Sequence, residues 1–302
     1  MMEFGRVSDA SVIDFTFPED HPGSIKVLGG VKASHCSVYV GCPIWADPGF
    51  VGTIYPSKAK SKDFPKYYGQ QFNSIELNIS HYKILEQDQI QHWSDLTPGG
   101  FKFCPKAHKD ISHTPLIRQN AGDMKTFLET QKHFKQKLGL PFLQLPPNYD
   151  SSKINDLLDF MDEVATSHYA VELRHESWFK NSEVLNRICN YFYKNHVTFL
   201  MTDTAGRRDV FHQRLTSKKA FIRFVANDLE SSDYIRMNEW IIRLKHWIDN
   251  GLEELYFFIH TPNHVLMPDI AIYFITEFNK QTGLKIKLPK LITYQTDHGK
   301  LF

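Results

Sequence analysis

FNSIELN (Phe72–Asn78) and YAVELR (Tyr169–Arg174) are the stretches that decide how this chain folds. In each, apolar and polar residues alternate: Ile75 and Leu77 against Glu76 and Asn78, Val171 and Leu173 against Glu172 and Arg174. Side chains along a strand point to opposite faces, so one face here is apolar and the other carries charge.

Six further apolar runs of strand length accompany them: CSVYVG (Cys36–Gly41), FKFCPK (Phe101–Lys106), PFLQLP (Pro141–Pro146), VTFLMT (Val197–Thr202), AFIRFV (Ala220–Val225) and LYFFIH (Leu255–His260). Amphipathic segments of helix length fall between and after them. The clearest cover Met124–Leu138, Ile154–Ala165, Glu183–Asn195, Tyr234–Asn250 and Ile270–Thr282. Ser151-Ser152 and Asn181-Ser182 stand where helices should start, and Gly251 and Gly283 where they should end. Strands alternating with helices give a parallel sheet with helical crossovers. GCPIW after the first run is not G-x-G-x-x-G, so a dinucleotide-binding open sheet loses its main support. Eight regular units suit a barrel of about 250 residues. The chain is therefore read as α/β, a single (β/α)8 TIM-type barrel with parallel strands over residues 36–302. An irregular N-terminal arm over residues 1–35 is expected to lie on its outside.

The composition agrees with one sizeable soluble core: 302 residues, 42% hydrophobic and 23% charged. A net charge of +1 argues against the overall basic footprint of many nucleic-acid binders but permits a local basic pocket. Cys36, Cys42, Cys104 and Cys189 form no CxxC pair and no zinc spacing, and read as reduced, buried thiols. The N-terminus has no apolar signal region, and no apolar run approaches the ~18 residues of a membrane span. The expected setting is cytoplasmic, with no membrane partner; the oligomeric state is not readable.

Alternation places Glu76, Asn78, Cys104, Lys106, Gln144, Glu172, Arg174 and Arg223 on the inward face. Most lie at the C-terminal ends of their strands, where barrel active sites are built. Asp203 and His260 end two more strands in directions that the pattern leaves open. Each unpaired charge costs several kcal/mol to bury, so the chain must pair these groups, hydrate them or use them.

The same segments carry a family resemblance. Trp45, FNSIELNISHYK (Phe72–Lys83), TPGGFKFCPKAHKDISH (Thr97–His113), LQLPP (Leu143–Pro147) and VELRHESW (Val171–Trp178) resemble the ordered signature blocks of the YecE-like family, a domain family of unknown function. The resemblance runs from about Ser37 to the last helix. It implies a TIM-type barrel and no established activity. It carries the family's polar blocks onto Glu76, Asn78, Tyr82, Lys106, His113, Gln144, Glu172, Arg174, His175, Trp178 and Arg223. The chain departs from the family at Gly41-Cys42-Pro43-Ile44, at Arg223-Phe224-Val225, where a His-Gly pair commonly follows the arginine, and in part at HTPNH (His260–His264).

Each candidate has a functional and a structural reading. Glu172, or else Glu76 or His175, would be a general acid or base; alternatively the carboxylates belong to an internal ion-pair network. Lys106, Arg174 and Arg223 would clamp an anion, unless Glu76 and Glu172 simply neutralise them. Asn78 and Gln144 would orient hydroxyls. A divalent metal on Glu76, Glu172, Asp203 and His260 is opposed by the neighbouring cations, so no metal or cofactor is assigned. His108, His113 and His175 would shuttle protons or serve as ordinary loop histidines. Trp45, Tyr82 and Trp178 would stack on a ligand or cap the interior. Cys42 has no histidine partner fixed by sequence, and the basic stretches Lys58–Lys66 and Thr216–Phe221 read as solvated surface. The leading expectation is an enzyme performing acid–base chemistry on an anionic, phosphate-bearing or sugar-like small substrate. The alternatives are a nucleic-acid or nucleotide processing protein, which is not favoured, and a non-catalytic metabolite-binding protein.

Overall fold

A computed structural model describes residues 5, 7, 9, 10, 12–165 and 168–292. Among these, every run read as a strand contains one. They are β1 (Ser37–Cys42), β2 (Ser74–Leu77), β3 (Lys102–Pro105), β4 (Phe142–Gln144), β5 (Ala170–Glu172), β6 (Thr198–Phe199), β7 (Met201–Asp203), β8 (Lys219–Val225) and β9 (Glu254–His260). The sixth run is divided: β6 pairs with β5 and β7 with β8. Leu200 joins them, its N–H donating to Val171 O at 2.9 Å. All strand pairings are parallel, in a six-stranded sheet ordered β3-β2-β1-β9-β8-β7 and a three-stranded one ordered β4-β5-β6. Between β3 and β4, Ala107 N–H donates to Phe142 O at 2.8 Å and Gly139 N–H to Phe103 O at 2.7 Å.

Parity along the strands sorts the core. Ile75, Ile222, Phe224, Phe257 and Ile259 pack against helices in one large cluster, and Leu143, Val171 and Phe199 in a second. Residues of the opposite parity, Cys104, Phe142, Ala170, Phe221, Tyr256 and Phe258, form a third cluster with Leu140 and Leu200. This last group is drawn mainly from the strands. The charged residues continue the same parity toward the strands' C-terminal ends.

The helices follow the amphipathic segments, with differences at their ends. Ile154–Val164, Ser182–Lys194, Ser231–Asp249 and Met267–Thr282 lie where the periodicity places them. Asn181 caps the second through bonds from Glu183 N–H and Val184 N–H, and Gly283 ends the last in the left-handed region at φ 73°. Asp150 rather than Ser151 or Ser152 does the capping before Ile154, across an intervening 3-10 turn. The helix expected over Met124–Leu138 is instead Ala121–Gln131 followed by a 3-10 segment, Lys132–Lys137. Lys135, at φ 54°, breaks it, as the chain carries Phe134 into a stack with Phe103 at 4.3 Å.

The N-terminal segment is more regular than its sequence suggests; residues 1–4, 6, 8 and 11 of it lie outside the described set, as do 293–302 at the other end. A helix, Pro22–Leu28, starts at His21, whose ring accepts the Gly23 N–H, and ends at Gly29. Asp20 accepts bonds from Arg243 and Trp247 at 2.9 Å each, tying the segment to helix Ser231–Asp249. Gly251 holds φ +121° against Leu28 O, where a Cβ would approach to 2.3 Å. Nearer its start the segment leaves the outer face: Gly5 O accepts Thr204 Oγ–H and Gly206 N–H at the C-terminal end of β7.

Candidate functional site

At the C-terminal ends of β2, β5 and β8 the three inward charges meet. Arg223 lies between two carboxylates. Its Nε and Nη2 donate to Glu76 at 3.0 and 3.1 Å, and its Nη1 donates to Glu172 Oε2 at 3.1 Å. Glu172 also accepts from Thr202 Oγ1 at 2.9 Å and Gln144 Nε2 at 2.6 Å, and pairs with Arg174 at 3.6 Å. Gln144 Oε1 in turn accepts from Lys106 Nζ at 2.7 Å and Arg174 at 3.3 Å. Asn78 Nδ2 and His260 Nε2 complete the shell of Glu76, at 3.0 and 2.9 Å. The predicted residues Glu76, Asn78, Lys106, Gln144, Glu172, Arg174 and Arg223 thus come together in one network.

The electrostatics follow from this packing. Burial alone would raise both carboxyl pKa values. Arg223 and His260 more than offset that at Glu76, and Arg223 and Arg174 at Glu172, so both are held below the usual carboxylate range. Burial, with Arg223 beside it, pushes Lys106 down to about 8, and burial lowers Arg174 to about 10. The His260 imidazole is also depressed, by burial first, with Glu76 opposing and Arg223 adding to the effect. Three cations therefore face two carboxylates, and the array keeps a net positive charge while His260 is neutral.

Arg174, Arg223, Thr202 and His260 line a cavity of about 220 Å³, closed in by Gly5, Pro43, Asn227 and His264 among others. His264 is itself bonded to Asp47 at 2.8 Å. Lys106 lies on the other flank of the array. There His81, buried and donating its Nδ1–H to Ala107 O at 2.8 Å, is driven down to about 4 by burial and by Lys106. His113 sits edge-on to His81 at 5.1 Å and is lowered by burial, Lys106 and Arg174.

Other predicted residues are not part of this network. Trp178 is fully buried, parallel to Tyr149 and donating to its carbonyl at 2.8 Å, so it fills core rather than meeting a ligand. Trp45 packs edge-on against Trp93, Tyr68 and Phe103 in the helix-side cluster. Trp45 lies in a loop and Trp178 in a short helix, Ser177–Lys180, outside the strands where alternation gives a direction. Tyr82 is 71% exposed and touches His81. His175 spends Nδ1 on Ser177, and His108 spends its own on Asp110 N–H, capping the short helix Lys109–Ser112. Cys42 is buried, and burial drives its thiol pKa up, against a nucleophilic role.

Asp203, a candidate ligand with Glu76, Glu172 and His260, faces away from them. Met201 and Asp203 share the helix-side parity of β7, and the carboxylate accepts from Arg236 at 3.0 Å and Trp240 Nε1 at 2.8 Å. Among the described residues no group of three or more His, Cys, Asp or Glu side chains is placed to hold a metal ion. Thr202, His81 and the cavity-facing position of His260 were not singled out by sequence. Parity from Leu255, Phe257 and Ile259 would have turned His260 inward.

Residues 39–293 match the family described as "Protein of unknown function DUF72". The chain belongs to the DUF72 family. It is 25% identical over 253 residues to the UPF0759 protein YecE of Escherichia coli (strain K12), covering 78% of this chain and 90% of that one. Two solved DUF72 structures share its fold. The protein from Thermotoga maritima MSB8 superposes with a TM-score of 0.60 at 21% identity, covering 82% of this chain and all of its own. The one from Enterococcus faecalis V583 gives 0.63 at 15% identity, covering 84% and 100%. The fold of this DUF72 chain is therefore mixed α/β about a parallel six-stranded sheet. No described helix is long and apolar enough to cross a membrane.

Proposed function

We propose that this DUF72 protein is an enzyme acting on an anionic small molecule at the C-terminal ends of its strands, within a closed (β/α)8 barrel. Closure is supported by the bonds between β3 and β4 and by Leu200, which links β6 to β7. The observation that carries the functional reading is the net positive array with both arginines on one cavity. Arginine presents a planar fork suited to phosphate or carboxylate, and here Glu76 and Glu172 hold that of Arg223, while Gln144 and the Glu172 charge orient Arg174, before any ligand arrives. With Thr202, Gln144, Arg174 and Arg223 around it, Glu172 has the role of fixing the cations. A cavity of about 220 Å³ favours a small metabolite over a nucleic-acid strand.

The test is a thermal-shift screen with phosphate, sugar phosphates, carboxylates, nucleotides, neutral sugars and divalent metals. An anion at about a hundred times its Kd should add ~2.7 kcal/mol of stability, several degrees in Tm, and Arg174→Ala should abolish the shift. Stabilisation by neutral sugars or metals but not by anions would sink the reading. Stabilisation by anions with no turnover of any of them would leave a binding protein instead of an enzyme.

A further inference from the structure

We propose that His260 is the proton carrier of this site, taking a proton at Nδ1 while Glu76 holds its Nε2–H. The inference rests on the reading that the cavity receives an anionic substrate. Three observations support it. Parity on β9 turns His260 to the inward face with Tyr256 and Phe258. Its Nε2 lies 2.9 Å from Glu76 Oε2 and the ring lines the same cavity as Arg174 and Arg223. Glu76 is itself fixed on both oxygens, by Arg223 and Asn78, and so serves as a positioning residue.

The tautomer follows from the partners. An ionised carboxylate only accepts hydrogen bonds, so Nε2 must carry the hydrogen and Nδ1 is left with its lone pair. Among the described residues Nδ1 makes no hydrogen bond to the protein. Glu76, Arg223 and Glu172 are the charged groups acting on the ring, and burial keeps it neutral at pH 7, the state a base requires. Glu172 is poorly suited to the task, because Thr202, Gln144 and Arg223 already occupy its oxygens.

The chemistry that fits is removal of a proton from a carbon next to a carbonyl of a phosphorylated or carboxylated substrate. The C–H bond breaks, its proton goes to Nδ1, and the electron pair stays on the substrate as an enolate. Glu76 matches the imidazolium that forms, while the surplus positive charge of the array stabilises the enolate. Return of the proton to the same or the neighbouring carbon restores the histidine.

Two measurements test this separately from anion binding. Nitrogen NMR of His260 at pH 7 should show a protonated Nε2 and a bare Nδ1. The opposite tautomer, or an imidazolium, would overturn the proposal and leave the anion reading standing. Next, dihydroxyacetone phosphate and pyruvate are incubated with protein in D2O, choosing whichever stabilises the wild type but not Arg174→Ala. Deuterium should enter beside the carbonyl, and His260→Gln should lower that rate by about 10²–10⁴ while the thermal shift persists. Exchange no faster than in His260→Gln overturns the proposal; failure of both probes to bind while other anions stabilise the protein overturns it and leaves the anion reading standing, and stabilisation by no anion at all overturns both.

Discussion

The ammonium of Lys106 is held by a neutral amide, Gln144, in the company of two guanidinium groups. The charged form is therefore disfavoured in the folded protein, with a pKa near 8 against an ordinary 10.5. Between those values the unfolded chain binds more protons, so stability rises with pH across the window and is flat in this respect below it. The stability of the wild type relative to Lys106→Met should accordingly climb from pH 8 to 10.5, read by urea unfolding. A constant difference would mean that the ammonium costs nothing. Glu76 behaves in the opposite sense. Its folded pKa is depressed, so its contribution is present above the usual carboxylate range and lost as pH falls through the folded value. Glu76→Gln should cost about 3 kcal/mol at pH 7, since it leaves Arg223 with Glu172 alone. The deficit against the wild type should shrink on acidification; a deficit independent of pH would place the loss elsewhere. Glu76, Glu172 and Arg223 were legible because clean alternation fixed their direction. Trp45, Trp178 and His175 were not, because outside the strands a side chain's direction depends on neighbours that the local sequence does not name.

At the scale of elements, β7 shows why one strand end misled. In VTFLMT the odd positions, Val197, Phe199 and Met201, are all apolar while Thr198 and Thr202 take the other face, so parity carried one residue further puts Asp203 on the helix side, a direction obscured by Leu200 among the threonines. The helix after β8 decides the matter: Arg236, fully buried, bonds Asp203 at 3.0 Å and Asp233 at 2.8 Å, and Trp240 adds a third bond. Arg208 joins from the segment after β7. This cluster fastens strand to helix and, through Phe15 under Arg208 and Arg236, part of the N-terminal segment as well. Removing one member leaves a buried charge poorly matched, so Asp203→Ala should cost roughly 3–5 kcal/mol. Anion-induced stabilisation at the cavity should survive in that variant, because Asp203 faces the helices. Asn181→Ala, which deletes only an exposed helix cap, should cost about 1 kcal/mol. Equal losses in the two variants under the same denaturant would show that the buried cluster adds no more than a cap.

For the whole molecule, the question is whether two sheets act as one. The periodic runs made the strands and their parallel pairing readable, since each unit is local and strongly patterned. Closure depends on contacts between distant segments, and no short stretch encodes it. An open parallel sheet would leave β3 and β7 as edges, with backbone groups exposed to solvent. Instead Ala107, after β3, donates to Phe142 of β4 at 2.8 Å, Gly139, before β4, donates back to Phe103 of β3 at 2.7 Å, and Leu200 donates to Val171 at 2.9 Å where β6 passes into β7. In a closed barrel these bonds open only when the ring itself opens, so their amides should exchange with a free energy close to that of global unfolding. Amides of Ile222 and Phe257, in the middle of the β8–β9 pairing, provide the reference. Hydrogen exchange followed by NMR should find Ala107, Gly139 and Leu200 in the same slow class as those two. If Ala107 and Gly139 exchange orders of magnitude faster while the reference amides stay protected, the sheets are separate units. The arginines would then be held only by the ion pairs, and their preorganisation toward an anion would lose its support from the backbone.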